Sequence, residues 1–128
     1  MTKEDLKKSL NIWAKALATL GEILPEKETT IVRDATIKRF EYNFELAWKT
    51  IKRFAIEEGE NCNSPKSAFK EALKLNWIED DDIWLDMLSD RNLSTHTYQE
   101  STADAIYHRI PGHYKALKSL FDKLEKSK

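Results

Sequence analysis

The densest group of reactive side chains in this sequence lies in the segment Asp90-Arg91-Asn92-Leu93-Ser94-Thr95-His96-Thr97-Tyr98. Arg91 supplies a permanent cation, and the planar fork of donors on a guanidinium suits a phosphate group. His96 supplies an imidazole, a group suited to acid or base catalysis because the unperturbed pKa of histidine is about 6.5. Tyr98 adds a phenol. We therefore treat these three residues as candidate functional residues.

The spacing of the segment indicates where it must lie. On an ideal helix Arg91 and Tyr98 share nearly one stripe, and Asn92 and His96 share the next. Arg91 and His96 would diverge by about 140° on a straight helix. They meet only if the helix ends between them or if a second chain completes the site. The hydroxyl residues between them favour an ending, because their side chains compete with backbone hydrogen bonding. We expect the end of a helix running into a turn.

Composition predicts a single helical domain spanning residues 1–128. Gly and Pro number three each, and 34% of the residues are charged, a balance that favours a helical protein over a β-sandwich or a disordered chain. The net charge of −1 offers no bulk argument for nucleic-acid binding. No apolar run approaches the ~20 residues of a membrane span, and the polar start predicts no signal peptide. The single Cys62 has no disulfide partner, which suits a reducing cytoplasm.

Five amphipathic segments are predicted from apolar periodicity and capping residues. They run from Thr2 to about Leu24, from about Thr30 to Glu58, from Ser64 to Asn76, from the acidic turn 80–82 to the motif, and from Ser101 onward. Gly21 and Pro25 are predicted to end the first helix, and Pro111 to kink the last. The prediction is all-α, and the apolar seam of the first helix is typical of a helical bundle. The second helix is apolar on more than one side, which suggests a second copy of the chain as a partner.

Several other features are better explained by structure than by chemistry. Lys38, Glu41, Glu45, Lys49 and Lys52 share one stripe with alternating charge, and we interpret it as a solvated face. The acidic residues 80–82 are expected to cap the fourth helix rather than bind a metal.

Two histidines of the last helix and the single cysteine are residue types that can bind metals or catalyse reactions, but we assign neither role to them. His108 and His113 diverge on a helix and lack a third metal ligand, so no metal and no cofactor are predicted. Cys62 is interpreted as an incidental thiol.

The motif also has an ordinary explanation. Arg91 could pair with Asp90 or Asp86, His96 could cap a helix end, and Tyr98 could pack in the core.

The motif residues resemble a known signature. Arg91-Asn92, His96 and Tyr98 are similar to the R-x-x-x-x-H-x-Y motif of the HepT family within the HEPN superfamily, whose members were long described as nucleotidyltransferase substrate-binding proteins. The block from Asp34 to Lys52, which contains RFEY and FELAWK, is similar to the second helix of the family. Ser64-Pro65, the acidic turn and the residues leading into the motif follow in the expected order. The resemblance spans nearly the whole chain.

This resemblance implies an up-and-down antiparallel four-helix bundle with an extra short helix. It also implies a homodimer in which the motifs of both protomers face one cleft. Active members act as metal-independent endoribonucleases, and this would make Arg91 and His96 catalytic, with Asn92 orienting His96 or the scissile phosphate. They are toxins paired with a small nucleotidyltransferase antitoxin of the MntA type, which transfers AMP from ATP to the motif tyrosine, Tyr98 here. RNA would be the substrate, and no membrane would be involved.

Two alternatives stay open at this point. The chain could be a non-catalytic subunit that presents a substrate to a partner nucleotidyltransferase, in which case the motif would hold a ligand without cleaving it. It could also be a purely structural helical dimer. The intact triad of Arg91, His96 and Tyr98 favours the ribonuclease hypothesis.

Overall fold

The computed structural model describes residues 2–127, so the end positions of the predicted domain 1–128 lie outside the described residues. The described chain forms α1 (Lys3–Ile23), α2 (Thr30–Glu57), α3 (Pro65–Lys74), α4 (Asp82–Leu93) and α5 (Glu100–Ser127), with a 3-10 turn at Ser94–His96. Within residues 2–127 there is no strand, which confirms the predicted all-α class. Helices α1, α2 and α5 are long, with 21, 28 and 28 residues, whereas α3 has 10 residues and α4 has 12.

The helices begin where the sequence offers side-chain oxygens to free backbone N–H groups. The Thr2 hydroxyl accepts from the Asp5 N–H, and the Asp5 carboxylate accepts from the Thr2 N–H in return. The Ser64 hydroxyl accepts from Ser67 N–H, and Pro65 occupies the first turn, where its missing donor costs nothing. Both predicted starts are confirmed.

Two predictions about helix boundaries are wrong. Gly21 lies inside α1 and does not end it, because its missing side chain serves packing: a Cβ there would lie 2.7 Å from the Tyr114 hydroxyl. Helix α5 begins at Glu100, one residue before the predicted start at Ser101. Pro111 lies within the continuous helix α5.

The acidic turn before α4 caps the helix only in part. Asp81 is the N-cap residue and makes no side-chain capping bond, whereas the Asp80 carboxylate accepts from the Asp82 N–H at 3.1 Å. Asp82 itself lies in the first turn, where the helix dipole favours its charge.

Aromatic pairs join the helices into one core. Trp13 of α1 meets Phe121 of α5 edge-on with ring centroids 5.3 Å apart. Phe44 of α2 meets Phe69 of α3 at 5.7 Å, and Phe69 meets Trp84 of α4 at 5.2 Å. Each such pair adds roughly 0.5–1.5 kcal/mol beyond the burial of its apolar area. The core therefore ties α4, which carries the motif, to α2 through α3.

The connections return apolar groups to this core. Asn76 adopts a left-handed conformation with φ of 62° and lets Trp77 turn back, so that its ring packs edge-on against Phe54 at 6.1 Å. Cys62, in the connection between α2 and α3, is buried. None of the helices in the described part of the chain is long and apolar enough to span a membrane.

Candidate functional site at the end of α4

Helix α4 ends between Arg91 and His96, as the hydroxyl-rich segment predicts. The last α-helical residue is Leu93, and the chain tightens into the 3-10 turn Ser94–His96. The Ser94 hydroxyl lies 2.6 Å from the Arg91 carbonyl and 2.5 Å from a carboxylate oxygen of Glu41 on α2. The hydroxyl of this buried serine therefore competes with backbone N–H groups for the Arg91 carbonyl at the helix end. It also ties the turn to α2.

His96 and Tyr98 lie side by side at the surface. Nδ1 of His96 is 3.2 Å from the Tyr98 hydroxyl, and the two rings meet edge-on with centroids 5.8 Å apart. The Tyr98 side chain is 78% exposed, so the alternative in which it packs in the core is wrong. An imidazole in contact with a solvent-facing phenol can take the phenol proton while the oxygen attacks an electrophile.

Arg91 turns towards α2. Its Nη1 lies 3.0 Å from Oε1 of Glu45, and its guanidinium carbon lies 5.1 Å from the centre of the Phe44 ring. The alternative pairing of Arg91 with Asp90 or Asp86 is therefore wrong. Glu45, interpreted as part of a solvated face, is 36% exposed and also pairs with the candidate arginine.

A buried polar network next to the motif was missed by sequence reasoning. Asp90 is 2% exposed and accepts two hydrogen bonds from Arg109, at 2.9 and 2.6 Å, and one from Nε2 of His113 at 2.7 Å. Burial opposes ionisation of Asp90, but the bonds from Arg109 and His113 outweigh it and hold the pKa of the carboxyl below its ordinary value. Stacking of the His113 ring on Phe40, with centroids 5.3 Å apart, adds a contact to α2.

One signal in the sequence could have found this network. His113 continues the apolar stripe of Ile106, Ile110 and Leu117 on α5, so its position in the helical phase indicates burial. A buried histidine needs a polar partner.

The remaining motif residue, Asn92, is exposed on α4, and its backbone carbonyl accepts from the Thr95 hydroxyl at 3.1 Å. Its predicted role towards His96 or a phosphate stays a prediction. Beside Arg91 a cavity of about 290 Å³ follows α2, lined by Lys38, Glu41, Tyr42, Glu45 and Arg91. Cations, carboxylates and a phenol therefore share one cleft.

One group of side chains among residues 2–127 could hold a metal ion. It consists of Glu28, Asp104 and His108, which each offer one ligand atom, and these atoms lie within 4.8 Å of one another. Sequence reasoning found no third ligand for His108 and so missed these carboxylates, which come from the α1–α2 connection and from α5. The three side chains are about half exposed.

The chain is similar to known proteins over nearly its whole length. Residues 5–126 match the family model described as nucleotidyltransferase substrate binding protein like. A Haemophilus influenzae protein named probable ribonuclease HepT is 30% identical over 94 residues, which cover 66% of this chain and 64% of that protein. The chain thus spans a little under two thirds of the length of this curated relative.

Solved structures show the same fold. A crystal structure of a Thermus thermophilus protein superposes with a TM-score of 0.84 at 36% identity and covers 88% of this chain and 98% of that one. A Haemophilus influenzae protein, described as having the fold of a substrate-binding domain of a nucleotidyltransferase, superposes with a TM-score of 0.76 at 22% identity and covers 91% and 98%. With the family match over nearly its whole length, the chain belongs to the HepT-like family of nucleotidyltransferase substrate-binding proteins.

Proposed function

We propose that this protein is a metal-independent endoribonuclease toxin of the HepT type, acting through a site shared by two copies of the chain. Its partner is a small nucleotidyltransferase antitoxin of the MntA type, which neutralises it by transferring AMP to Tyr98. The observation that carries the proposal is the exposed pair of His96 and Tyr98, 3.2 Å apart on the turn that follows Arg91.

The reaction needs no metal. The ribose 2′-hydroxyl attacks the adjacent phosphorus, a new P–O2′ bond forms and the P–O5′ bond breaks, which leaves a 2′,3′-cyclic phosphate and a 5′-hydroxyl. One base must take the 2′ proton, and one acid must protonate the departing 5′ oxygen. Positive charge must stabilise the pentavalent phosphorane. Histidine performs the proton transfers, and the guanidinium of Arg91 stabilises the phosphorane.

A single chain is short of one histidine for this scheme. Each copy supplies one His96, and a two-fold dimer supplies a base and an acid at once. The apolar side chain of Leu93, 41% exposed in the last turn of α4, lies between Arg91 and His96 in the chain and offers a contact for the second copy. The predicted homodimer therefore belongs to the mechanism.

AMP transfer to Tyr98 fits the same geometry. The phenol oxygen attacks the α-phosphorus of ATP, the bond to pyrophosphate breaks, and the phenol proton passes to a base, for which Nδ1 of His96 is placed at 3.2 Å. The product carries a phosphodiester anion and a bulky nucleoside beside His96. It occupies the position that the RNA phosphate needs and offsets local positive charge.

The direct test is cleavage of a mixed RNA pool by purified protein in the presence of EDTA. His96→Ala and Arg91→Ala should each reduce cleavage by at least about a hundredfold, and the products should carry cyclic phosphate ends. His108→Ala removes another exposed histidine and should cleave normally. Full activity in either motif variant would reject the mechanism.

Modification is tested with the partner nucleotidyltransferase and ATP. Intact-mass and peptide analysis should show one AMP on Tyr98 of each modified chain, and modified protein should lose RNA cleavage while keeping its thermal unfolding profile. Tyr98→Phe should accept no AMP, and Tyr107→Phe should accept it normally. AMP found on another residue would reject the assignment.

A second candidate function is a non-catalytic subunit that presents a ligand to the nucleotidyltransferase. The cleft of about 290 Å³ beside Arg91 favours it, because a mixed polar pocket can hold a ligand without chemistry. In that case the purified protein would bind RNA or nucleotide and leave RNA intact, so the cleavage assay separates the two functions.

A further inference from the structure

We propose that Glu45 sets the RNA affinity of the site by holding Arg91 until an RNA phosphate replaces its carboxylate. This inference rests on the proposed function and adds a residue outside the motif to it. The carboxylate takes the place of a phosphate oxygen on the guanidinium, since both are anionic oxygens that an arginine binds in the same way.

The two oxygens of the Glu45 carboxylate contact different groups. Oε1 lies 3.0 Å from Nη1 of Arg91. Oε2 accepts from the indole N–H of Trp48 at 3.1 Å and lies 4.0 Å from the ammonium of Lys49. When Arg91 leaves, Glu45 keeps a hydrogen bond and a neighbouring cation. Release of Arg91 therefore leaves the Glu45 carboxylate with other partners. The exchange avoids the large free-energy cost of an unpaired buried charge.

The contact of Arg91 with Phe44 also favours this exchange. Its guanidinium lies against the Phe44 ring, a contact that does not depend on Glu45. A cation over an aromatic face is held by the ring quadrupole and keeps its plane while its edge stays free for hydrogen bonds. The side chains of Arg91 and Glu45 are 33% and 36% exposed, so a phosphate can reach the pair from solvent.

The cleft beside the pair gives the incoming strand a path. Lys38 and Tyr42 lie earlier on α2 and line the same cavity as Glu45 and Arg91. Lys38 is exposed and offers a second cation along this path. An RNA strand that follows the cleft thus meets Glu45 as a competitor for Arg91, and no other change in the fold is required.

The test is a double-mutant cycle on RNA affinity. Glu45→Gln keeps the shape and the acceptor for Trp48 but removes the charge. It should tighten binding of a short single-stranded RNA, fully 2′-O-methylated so that it cannot be cut, by about two- to fivefold at low salt, the range expected for a partly exposed ion pair. In cleavage assays KM should fall while kcat stays nearly unchanged, because Glu45 no longer contacts Arg91 once RNA is bound.

Two comparisons separate this effect from general electrostatics. Glu60→Gln removes a carboxylate with the same 36% exposure and the same 3.0 Å separation from its cation, Lys74, and should leave RNA affinity unchanged. In an Arg91→Ala background, Glu45→Gln should have no effect on RNA affinity, because there is no longer a competition to relieve.

The outcomes distinguish this inference from the proposed function. Unchanged affinity of Glu45→Gln, or equal tightening with and without Arg91, overturns the role of Glu45 even if RNA is cleaved. Binding of the methylated RNA with a clear coupling between Glu45 and Arg91, but no cleavage of ordinary RNA, supports the role of Glu45 and overturns the ribonuclease function. Failure to bind RNA at all overturns both.

Discussion

Asp90 and His113, 23 residues apart in the chain, are joined by a hydrogen bond of 2.7 Å between two residues that are each 2% exposed. An ionised carboxylate can only accept, so Nε2 of His113 carries the proton. Nδ1 of the same ring is buried and without a hydrogen-bond partner among the described residues. The bond fixes the last turn of α4 against α5, directly before Arg91.

Loss of the Asp90 charge should therefore destabilise the protein. Asp90→Asn removes the charge and replaces one of the two acceptor oxygens facing Arg109 and His113 by an N–H₂ donor, and we expect a loss of about 3 kcal/mol in the free energy of unfolding, measured by urea denaturation. Asp122→Asn, which breaks the exposed pair with Lys118, should cost about 0.5 kcal/mol or less. Equal effects of the two variants would contradict the importance of the buried network.

The same residue predicts a dependence of stability on pH. Because the pKa of Asp90 is lower in the folded than in the unfolded chain, its contribution is complete above the unfolded value of about 3.9 and is lost as the pH falls towards the folded value. Urea denaturation from pH 6 to pH 3 should show a decline below about pH 4. In Asp90→Asn this decline should be shallower, and an unchanged slope would contradict the assignment.

Two helical glycines should respond to alanine with opposite signs. At Gly21 a Cβ would lie 2.7 Å from the Tyr114 hydroxyl, so Gly21→Ala must displace that ring and should destabilise the protein by about 1 to 2 kcal/mol. At Gly112 the nearest atom to a new Cβ is Cδ1 of Ile83 at 4.0 Å. Gly112→Ala should stabilise the protein by about 0.5 to 1 kcal/mol through helix propensity. Thermal unfolding measures both, and stabilisation by Gly21→Ala would contradict the close packing.

The proposed dimer should depend on the exposed leucine next to the motif. Leu93→Asp places a charge in the expected contact and should weaken self-association at least about tenfold in sedimentation equilibrium. Leu73→Asp changes a leucine of similar exposure, 36% against 41%, on α3 and should leave association unchanged. If Leu93→Asp associates normally, the two motifs do not meet through this surface.

Cys62 should be unreactive in the folded protein. Burial raises the pKa of the Cys62 thiol, and the charge of Glu71 raises it further, so little thiolate is present near neutral pH. Labelling with a thiol reagent at about pH 7.5 should be at least about tenfold slower than in urea-unfolded protein. Rapid labelling of the folded chain would show that the loop opens readily.

Local patterns in the sequence predicted what local physics determines. The capping residues Thr2 and Ser64 and the apolar periodicity act over three or four positions, and these elements appear where they were expected. The end of α4 was predicted in the same way, from side chains that compete with their own backbone. Gly21 misled because the reason for a glycine there lies on α5, in Tyr114.

The environment of the candidate site could not be predicted from such patterns. Glu45 and Arg91 are 46 positions apart, and Glu41 and Ser94 are 53 positions apart, so no periodicity relates them. An alternating stripe of charge on α2 has the same pattern whether it faces water or a functional arginine. The packing of α3 against α2 and α4, together with the hydrogen bonds from α5 to Asp90, places Glu45 beside the end of α4.

Asp90 and Arg91 are neighbours in the chain, yet the first is bound to α5 and the second to α2. Side chains at consecutive helical positions point about 100° apart, so these two ties determine the rotation of α4 about its own axis. A residue inserted between Met87 and Asp90 would rotate Asp90 and Arg91 by about 100° relative to Trp84 and Met87 earlier in the same helix. The packing of Trp84 and Met87 would then no longer be compatible with the two ties. Natural length variation among relatives should therefore fall in the connection 75–81 and spare α4 itself.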